Sequence, residues 1–276
     1  MIDDGSTDGT FEIARKFLEP HGNRFRRIVL ERQENQGVCA TSNAVIAASR
    51  GEWVHLLGSD DVLYPNKVAR IQQAIDAWQC PDLALVHADI DMIDSSGKVI
   101  EGARLRKQRP PPGISREAWH WLFFNRQYIF NPTVALRKDA ILSIGGFDPG
   151  LALEDLDCWL RLSVSHAIAR VPEVLASYRK HPTNSSRKRT KMLAALLHTY
   201  GKFVAGHGTL IPEKDVRSHF RTNLKYVWRR IRKVRPLLLP VVATALLSSF
   251  LRTPQVQDYQ RFGNLMDGLA KQMGDE

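Results

Sequence analysis

Residues 52–61 read Glu52-Trp53-Val54-His55-Leu56-Leu57-Gly58-Ser59-Asp60-Asp61: an apolar run that stops at a glycine and two adjacent carboxylates. A short apolar run bounded by turn signals suits a buried strand, here Glu52 to Leu57. Upstream, Gly37 to Ala48 is alanine-rich and helical, with Gly51 in the place of a C-terminal cap. Downstream, Asn66 to Trp78 sets Val68, Ile71, Ile75 and Trp78 on one helical face, and Leu83 to Ile90 (LALVHADI) is strand-like again. Further upstream, Arg27 to Glu31 reads as a short strand and Thr7 to Leu18 as a helix capped by Ser6 or Thr7. Strands alternating with helices of this length predict an α/β fold with a largely parallel sheet.

Beyond residue 90 the pattern continues more loosely. Three prolines in 107–113 (KQRPPPG) remove donors and fix φ, which predicts a loop over a sheet edge. Thr133 to Arg137 is strand-like, and Lys138 to Ile144 is a short helix stopped by Gly145-Gly146. Glu154 to Ser165 is a helix with Leu156, Trp159, Leu160 and Val164 on one side. From about Lys188 only helical periodicity remains.

Charge divides the chain at nearly the same place. Residues 187–276 hold 17 Lys/Arg against 6 Asp/Glu, whereas residues 1–186 are close to neutral. That asymmetry predicts two parts: a domain over 1–185 and a basic, helical region over 186–276 that faces something anionic. The three cysteines, Cys39, Cys80 and Cys158, stand far apart, which argues against a disulfide scaffold or zinc ribbon. Met1-Ile2-Asp3-Asp4 has no leader pattern, so the expectation is a cytoplasmic protein.

Carboxylates gather in three places, each just after a strand or at a helix start, where open α/β sheets bind ligands. Asp3-Asp4-Gly5-Ser6-Thr7-Asp8 also reads as a capped turn. Asp60-Asp61 repel one another unless a cation or donor groups lie between them. A helix cap explains one of the two, and hard divalent cations take such oxygen ligands. Glu154-Asp155-Leu156-Asp157 opens a helix whose macrodipole stabilises acids there, so a structural role competes.

The order and spacing of these clusters resemble the family 2 glycosyltransferases. The resemblance is carried by Ile2-Asp3-Asp4-Gly5-Ser6-Thr7-Asp8-Gly9, by Glu34-Asn35-Gln36-Gly37 with Asn43, and by Gly51-Glu52-Trp53-Val54 running into Gly58-Ser59-Asp60-Asp61. It continues through Gly145-Gly146-Phe147-Asp148 and Glu154 to Leu162, and covers residues 2–181. It implies a GT-A fold, with a mixed, mainly parallel sheet flanked by helices. It also implies an inverting transfer of a sugar from a nucleotide-diphosphate donor to a saccharide or lipid-linked acceptor, as in bacterial surface-polysaccharide biosynthesis. By the same resemblance Asp3 and Asp4 contact base and ribose, and Asn43, Asp60 and His181 belong to the donor site. Asp61, with Asp60, holds Mn²⁺ or Mg²⁺, and Asp155 is the general base.

Two departures accompany the match. Gly58 stands where many relatives carry an aspartate, and Ser42 where many carry an arginine. The family also places a strand and a helix before the Asp-Asp-Gly-Ser motif, whereas here Met1 stands two positions before it. The expectation is therefore a truncated or mis-assigned start. A catalytically inactive nucleotide-sugar-binding module is the competing expectation.

In the basic region, Arg217 to Arg235 interleaves cations with Phe220, Leu224, Trp228 and Ile231, and the apolar run Pro236 to Leu251 follows. A run of 16 residues is short for a span needing roughly 20. This suits a peripheral anchor on the anionic inner face of the plasma membrane, or equally a helical subdomain packed on the body. An interaction protein acting through this tail is the third functional expectation, with nucleic acid the less favoured partner.

Overall fold

The computed structural model describes residues 1–101, 110–125, 128–184 and 187–274. The N-terminal half alternates β1 (Ile2–Asp3), α1 (Thr10–Leu18), β2 (Glu31–Arg32), α2 (Val38–Ala48), β3 (Trp53–His55), β4 (Val62–Leu63), α3 (Lys67–Trp78) and β5 (Leu83–Ile93). Then come β6 (Val99–Glu101), β7 (Gly113–Ser115), α4 (Ala118–Asn125), β8 (Ala135–Arg137), α5 (Lys138–Ser143), α6 (Glu154–Ser165) and β9 (Ala167–Arg179). Helices α7 (Arg189–His207), α8 (Glu213–Val234), α9 (Leu239–Leu251) and α10 (Val256–Gln272) complete the chain. Of the proline-rich stretch 107–113, residues 107–109 lie outside the described residues.

The main sheet runs β3-β8-β5-β9-β4, with β6 on β5 and β7 on β9. It is mixed, as expected, but the balance is not mainly parallel. Among the described residues only β5–β9 and the separate β1–β2 pair are parallel; the remaining pairings are antiparallel. Strands β3, β5 and β9 do run the same way. The difference arises where the Asn131-Pro132-Thr133 turn feeds β8 between β3 and β5 from the opposite end. A cavity of about 750 Å³ beside β1 and the end of α2 is lined in part by Met1, Ile2, Val29, Val45 and Gly51.

Several local expectations are corrected. Helix α1 begins at Thr10 behind Gly9, not at Ser6 or Thr7, because the Asp8 carboxylate accepts from the Thr10 N–H (3.2 Å) and hydroxyl (2.6 Å) and holds the turn open. Ser49, not Gly51, caps α2. The strand expected at Arg27 to Glu31 forms instead at Glu31–Arg32. The 13-residue β9 escapes a sequence reading because Pro172 interrupts it. The register steps there from Ala88↔Val171 to Asp89↔Val174, so Pro172 and Glu173 bulge out and the missing donor is harmless.

The apolar core crosses the composition boundary near residue 185. Trp159, Phe123, Leu122 and Leu160 from the sheet layer share one cluster with Tyr200, Phe203, Phe220, Tyr259 and Phe262. Tyr200 Oη donates to the Leu122 carbonyl at 3.1 Å, and the His219 ring stacks on Phe123 at 3.8 Å. The C-terminal helices are therefore packed on the body, as one of the two structural expectations has it, and this leaves the outer face of the region open. No helix among the described residues is long and apolar enough to cross a membrane.

Helix α3 turns Ile71, Ile75 and Trp78 inward as expected, but not Val68, whose place is taken by Lys67. Ile71 is buried, but Val68 is 52% exposed and Lys67 is completely buried. The inward row is Lys67, Ile71, Ala74, Ile75 and Trp78. Lys67 Nζ lies 2.8 Å from His55 Nδ1 and donates to the Val134 carbonyl at 2.9 Å. It thus pins the end of β3 to the start of α3 and closes the loop carrying Asp60 and Asp61. For Lys67 to donate, His55 must hold its proton on Nε2. Burial lowers the Lys67 amine to about 7, and burial together with Lys67 lowers His55 to about 4.

The sign of the resulting pH dependence follows from proton counting. Unfolded, Lys67 keeps its proton up to its ordinary 10.5; folded, it releases it near 7. Between those values the unfolded chain binds more protons, so stability from this group rises with pH. We expect wild type to gain about 1–2 kcal/mol over Lys67→Met between pH 7 and pH 9. Thermal melts of both proteins across that range measure it, and parallel curves would contradict the buried-amine assignment.

Candidate active site

The pairing of β4 with β9, Val62↔Ser177 and Leu63↔Ala176, carries Asp60 and Asp61 to the end of β9. There the Arg179 backbone N–H donates to Asp61 Oδ1 at 3.0 Å, and Arg179 Nε donates to the Asp60 carbonyl at 2.7 Å. His181 Nε2 lies 3.1 Å from Asp60 Oδ2, and its Nδ1 lies 2.8 Å from Thr183 Oγ1. The Asn184 side chain closes this turn by accepting from the His181 backbone N–H at 2.5 Å.

The remaining oxygens of the two carboxylates converge. A Cβ placed on Gly58 would stand 2.9 Å from Asp60 Oδ1 and 3.7 Å from Asp61 Oδ2. Glycine is what lets the Asp60 carboxylate fold back over the loop, so a side chain there would displace it. Burial pushes the Asp61 carboxyl up to about 6; the Arg179 backbone N–H opposes this, and the charge of Asp60 adds to it. Among the described residues no group of three or more His, Cys, Asp or Glu forms a metal cage on its own. Two convergent carboxylate oxygens nonetheless fit a hard cation that completes its shell with water and phosphate.

Asp3 and Asp4 follow from the parallel β1–β2 register, Ile2↔Glu31 and Asp3↔Arg32. Asp3 is buried, with Oδ2 3.3 Å from Arg32 Nε. Asp4 clamps the next loop. Its Oδ1 accepts from Gln33 Nε2 (2.8 Å) and the Gln36 N–H (2.9 Å), and its Oδ2 from the Gly37 N–H (2.9 Å). These donors, that of Gln36 foremost, hold the Asp4 carboxyl below its usual range.

A third group joins α2 to α6. Asn43 Oδ1 accepts from the Phe147 N–H at 2.8 Å, and its Nδ2 donates to the Phe147 carbonyl at 2.9 Å. Both ends of the amide are therefore engaged by one backbone residue. Gly146, at φ +74°, passes so close that a Cβ would stand 2.5 Å from Asn43 Oδ1. Glu154, Asp155 and Asp157 occupy the first turn of α6. Asp155 is half-buried, and its Oδ1 accepts from the Leu156 N–H at 2.6 Å. Burial, reinforced by Asp155, raises Glu154 to about 7. The Cys39 thiol donates to the Asp148 carbonyl at 3.3 Å, so α2 begins beside this turn, and burial, reinforced by Glu154 and the other acids here, raises that thiol to about 11.

Two cations organise the group. Arg161 pairs with Asp157 at 2.7 Å and donates to the carbonyls of Ile144 (2.6 Å) and Gly146 (2.7 Å). Lys202, from α7, bridges Asp148 (2.6 Å) and Asp157 (2.9 Å). Neither Lys202 nor Arg179 stands out in the sequence. Lys202 lies among helical residues beyond the last motif, and Arg179 reads as an ordinary strand-end cation.

An uncharacterised glycosyltransferase from Nostoc sp. is 31% identical over 152 residues, which cover 54% of this chain and 44% of that protein. The chain thus spans less than half of that relative's length. The architecture matches S. aureus TarS 1–349 in complex with UDP-GlcNAc at a TM-score of 0.52, with 15% identity over 95% of this chain and 80% of that one. It also matches the mannosyltransferase PcManGT from Pyrobaculum calidifontis in complex with GDP-Man and Mn²⁺ at 0.53, with 13% identity over 98% and 75%. The fold is accordingly GT-A. The model of glycosyl transferase family 2 matches residues 1–145, more than half of the chain, and the protein belongs to that family.

Proposed function

We propose that this chain transfers a sugar from a nucleotide-diphosphate donor to a hydroxyl of a saccharide or lipid-linked acceptor, with inversion, in the building of surface polysaccharide. The observation that carries this reading is the convergence of Asp60 and Asp61 over Gly58 beside His181. The solved structures similar to this chain support it with bound UDP-GlcNAc and with GDP-Man and Mn²⁺.

In this reading the buried Asp3 and the clamp at Asp4 shape the nucleotide end of the site. Asn43 acts by holding the 145–148 turn against α2. Asp60 and His181 face the diphosphate, and Asp61 with Asp60 would hold Mn²⁺ or Mg²⁺. Such a cation, when bound, offsets charge on the diphosphate leaving group. Asp155 takes the proton of the acceptor hydroxyl as its oxygen attacks the anomeric carbon. The bond from that carbon to the diphosphate oxygen breaks with its electron pair on the oxygen. One displacement with one base inverts the centre.

A catalytically inactive binding module differs from this reading in one measurable respect: it would bind the donor but neither transfer nor hydrolyse it.

Asp155→Asn is expected to lower transfer by about 10²–10⁴-fold while leaving donor affinity within a few-fold. A matching loss of donor affinity would remove Asp155 from the base role. Asp61→Ala is expected to erase the Mn²⁺ dependence of nucleoside-diphosphate binding in calorimetry, with Asp60→Ala weakening the nucleotide more than the cation. Equal binding by wild type with and without Mn²⁺ would overturn the cation assignment.

A further inference from the structure

Helix α9 carries no charged residue, yet only Val242 and Ser249 of its 13 residues are buried. Leu237, just before it, is 92% exposed; Leu247, Phe250 and Leu251 are 69, 64 and 86% exposed. Pro240, Thr244, Leu247 and Leu251 follow one another at spacings of four, three and four, so the exposed positions form a single stripe. An uncovered apolar helix of this kind marks an interaction surface rather than a random exposure.

What covers it is indicated by charge. Helix α8 packs Val216, Phe220, Leu224, Val227 and Ile231 into the core and leaves Lys225, Arg229, Arg232 and Lys233 exposed along one stripe. The two helices meet where the Arg221 guanidinium lies 4.5 Å above the Phe250 ring and Arg221 Nη1 donates to the Ser249 carbonyl at 3.4 Å. An apolar stripe is thus bordered by cations. A second copy of the chain fits poorly, since a self-complementary face would bring like charges together. Nucleic acid would use the cations and leave the leucines and phenylalanine uncovered.

We propose that the α8–α9 hairpin docks on a bilayer surface rich in anionic lipid. At 1.5 Å per residue α9 is about 20 Å long, too short for a hydrocarbon layer of about 30 Å. It therefore lies along the interface, with Leu247, Phe250 and Leu251 among the acyl chains and the α8 cations on the headgroups. This surface is independent of the transfer reading, because its readout is binding rather than turnover.

The test is flotation of the full 276-residue chain with vesicles of phosphatidylcholine alone, or with about 30% phosphatidylglycerol added, at low and high salt. The chain should float with the anionic vesicles at low salt and at least tenfold less with the neutral ones. Leu247→Ser/Phe250→Ser/Leu251→Ser should lower recovery more than tenfold. Lys225→Gln/Arg229→Gln/Arg232→Gln/Lys233→Gln should remove the preference for anionic lipid, at about fivefold per cation. Cooperative melting of each variant confirms that it folds, and wild-type binding stands as evidence by itself. Three outcomes each overturn the proposal: no flotation with anionic vesicles, flotation unchanged by both variants, or a concentration-dependent dimer dispersed by the serine variant. Duplex DNA bound in place of vesicles, with the serine variant unaffected, overturns it as well.

Discussion

Strands β5 and β9 lie side by side in parallel, from Leu83↔Ala167 to Ile93↔Arg179, and the rest of the sheet is positioned against this pair. Buried parallel ladders leave little freedom of register, since a slip of one residue turns every side chain to the wrong face. The ladder shifts register at three places, the largest at the Pro172–Glu173 bulge, and the two strands are again matched residue for residue from Ile90↔Ala176 to Ile93↔Arg179. There β9 delivers Arg179 and His181, and the short β4 delivers Asp60 and Asp61 to meet them. The carboxylate pair is thus placed by long-range pairing; the local loop adds the fine adjustment through Gly58 and the Lys67 pin.

Much of the candidate site is legible in the sequence because its residues are expensive to keep without a reason. Adjacent aspartates at a strand end, or three acids in one helical turn, stand out against the ordinary composition around them. Their partners do not stand out. Arg161 and Lys202 are single cations in helices where cations are common, and only the fold shows that they pair with Asp157, just as only the fold shows Arg179 holding the Asp60–Asp61 loop through its backbone N–H and its bond to the Asp60 carbonyl. Lys67 is hidden for the opposite reason: periodicity assigns the inward face to Val68, because a lysine is normally excluded from that position.

The same asymmetry explains the fold-level differences. Regular helices such as α6, expected at Glu154 to Ser165 and found there, follow from local periodicity. Strand β9 and the direction of β8 depend on distant partners, and a proline obscured the first of these. Asn43 shows how function and structure overlap at one residue. Its amide spans the backbone of Phe147, so a position expected at the donor site also fixes the turn ahead of α6.

Lys202 ties these layers together, reaching from α7 to Asp148 and Asp157 below the acidic turn. The C-terminal helices are consequently not an interchangeable cassette. A chimera that joined this N-terminal half to a helical region with no cation at position 202 would leave Asp157 buried with one of its two cations gone. A working exchange has to move Asp148, Asp157 and the residue at position 202 as one inherited unit, so recombination between such proteins is constrained well outside the recognisable motifs.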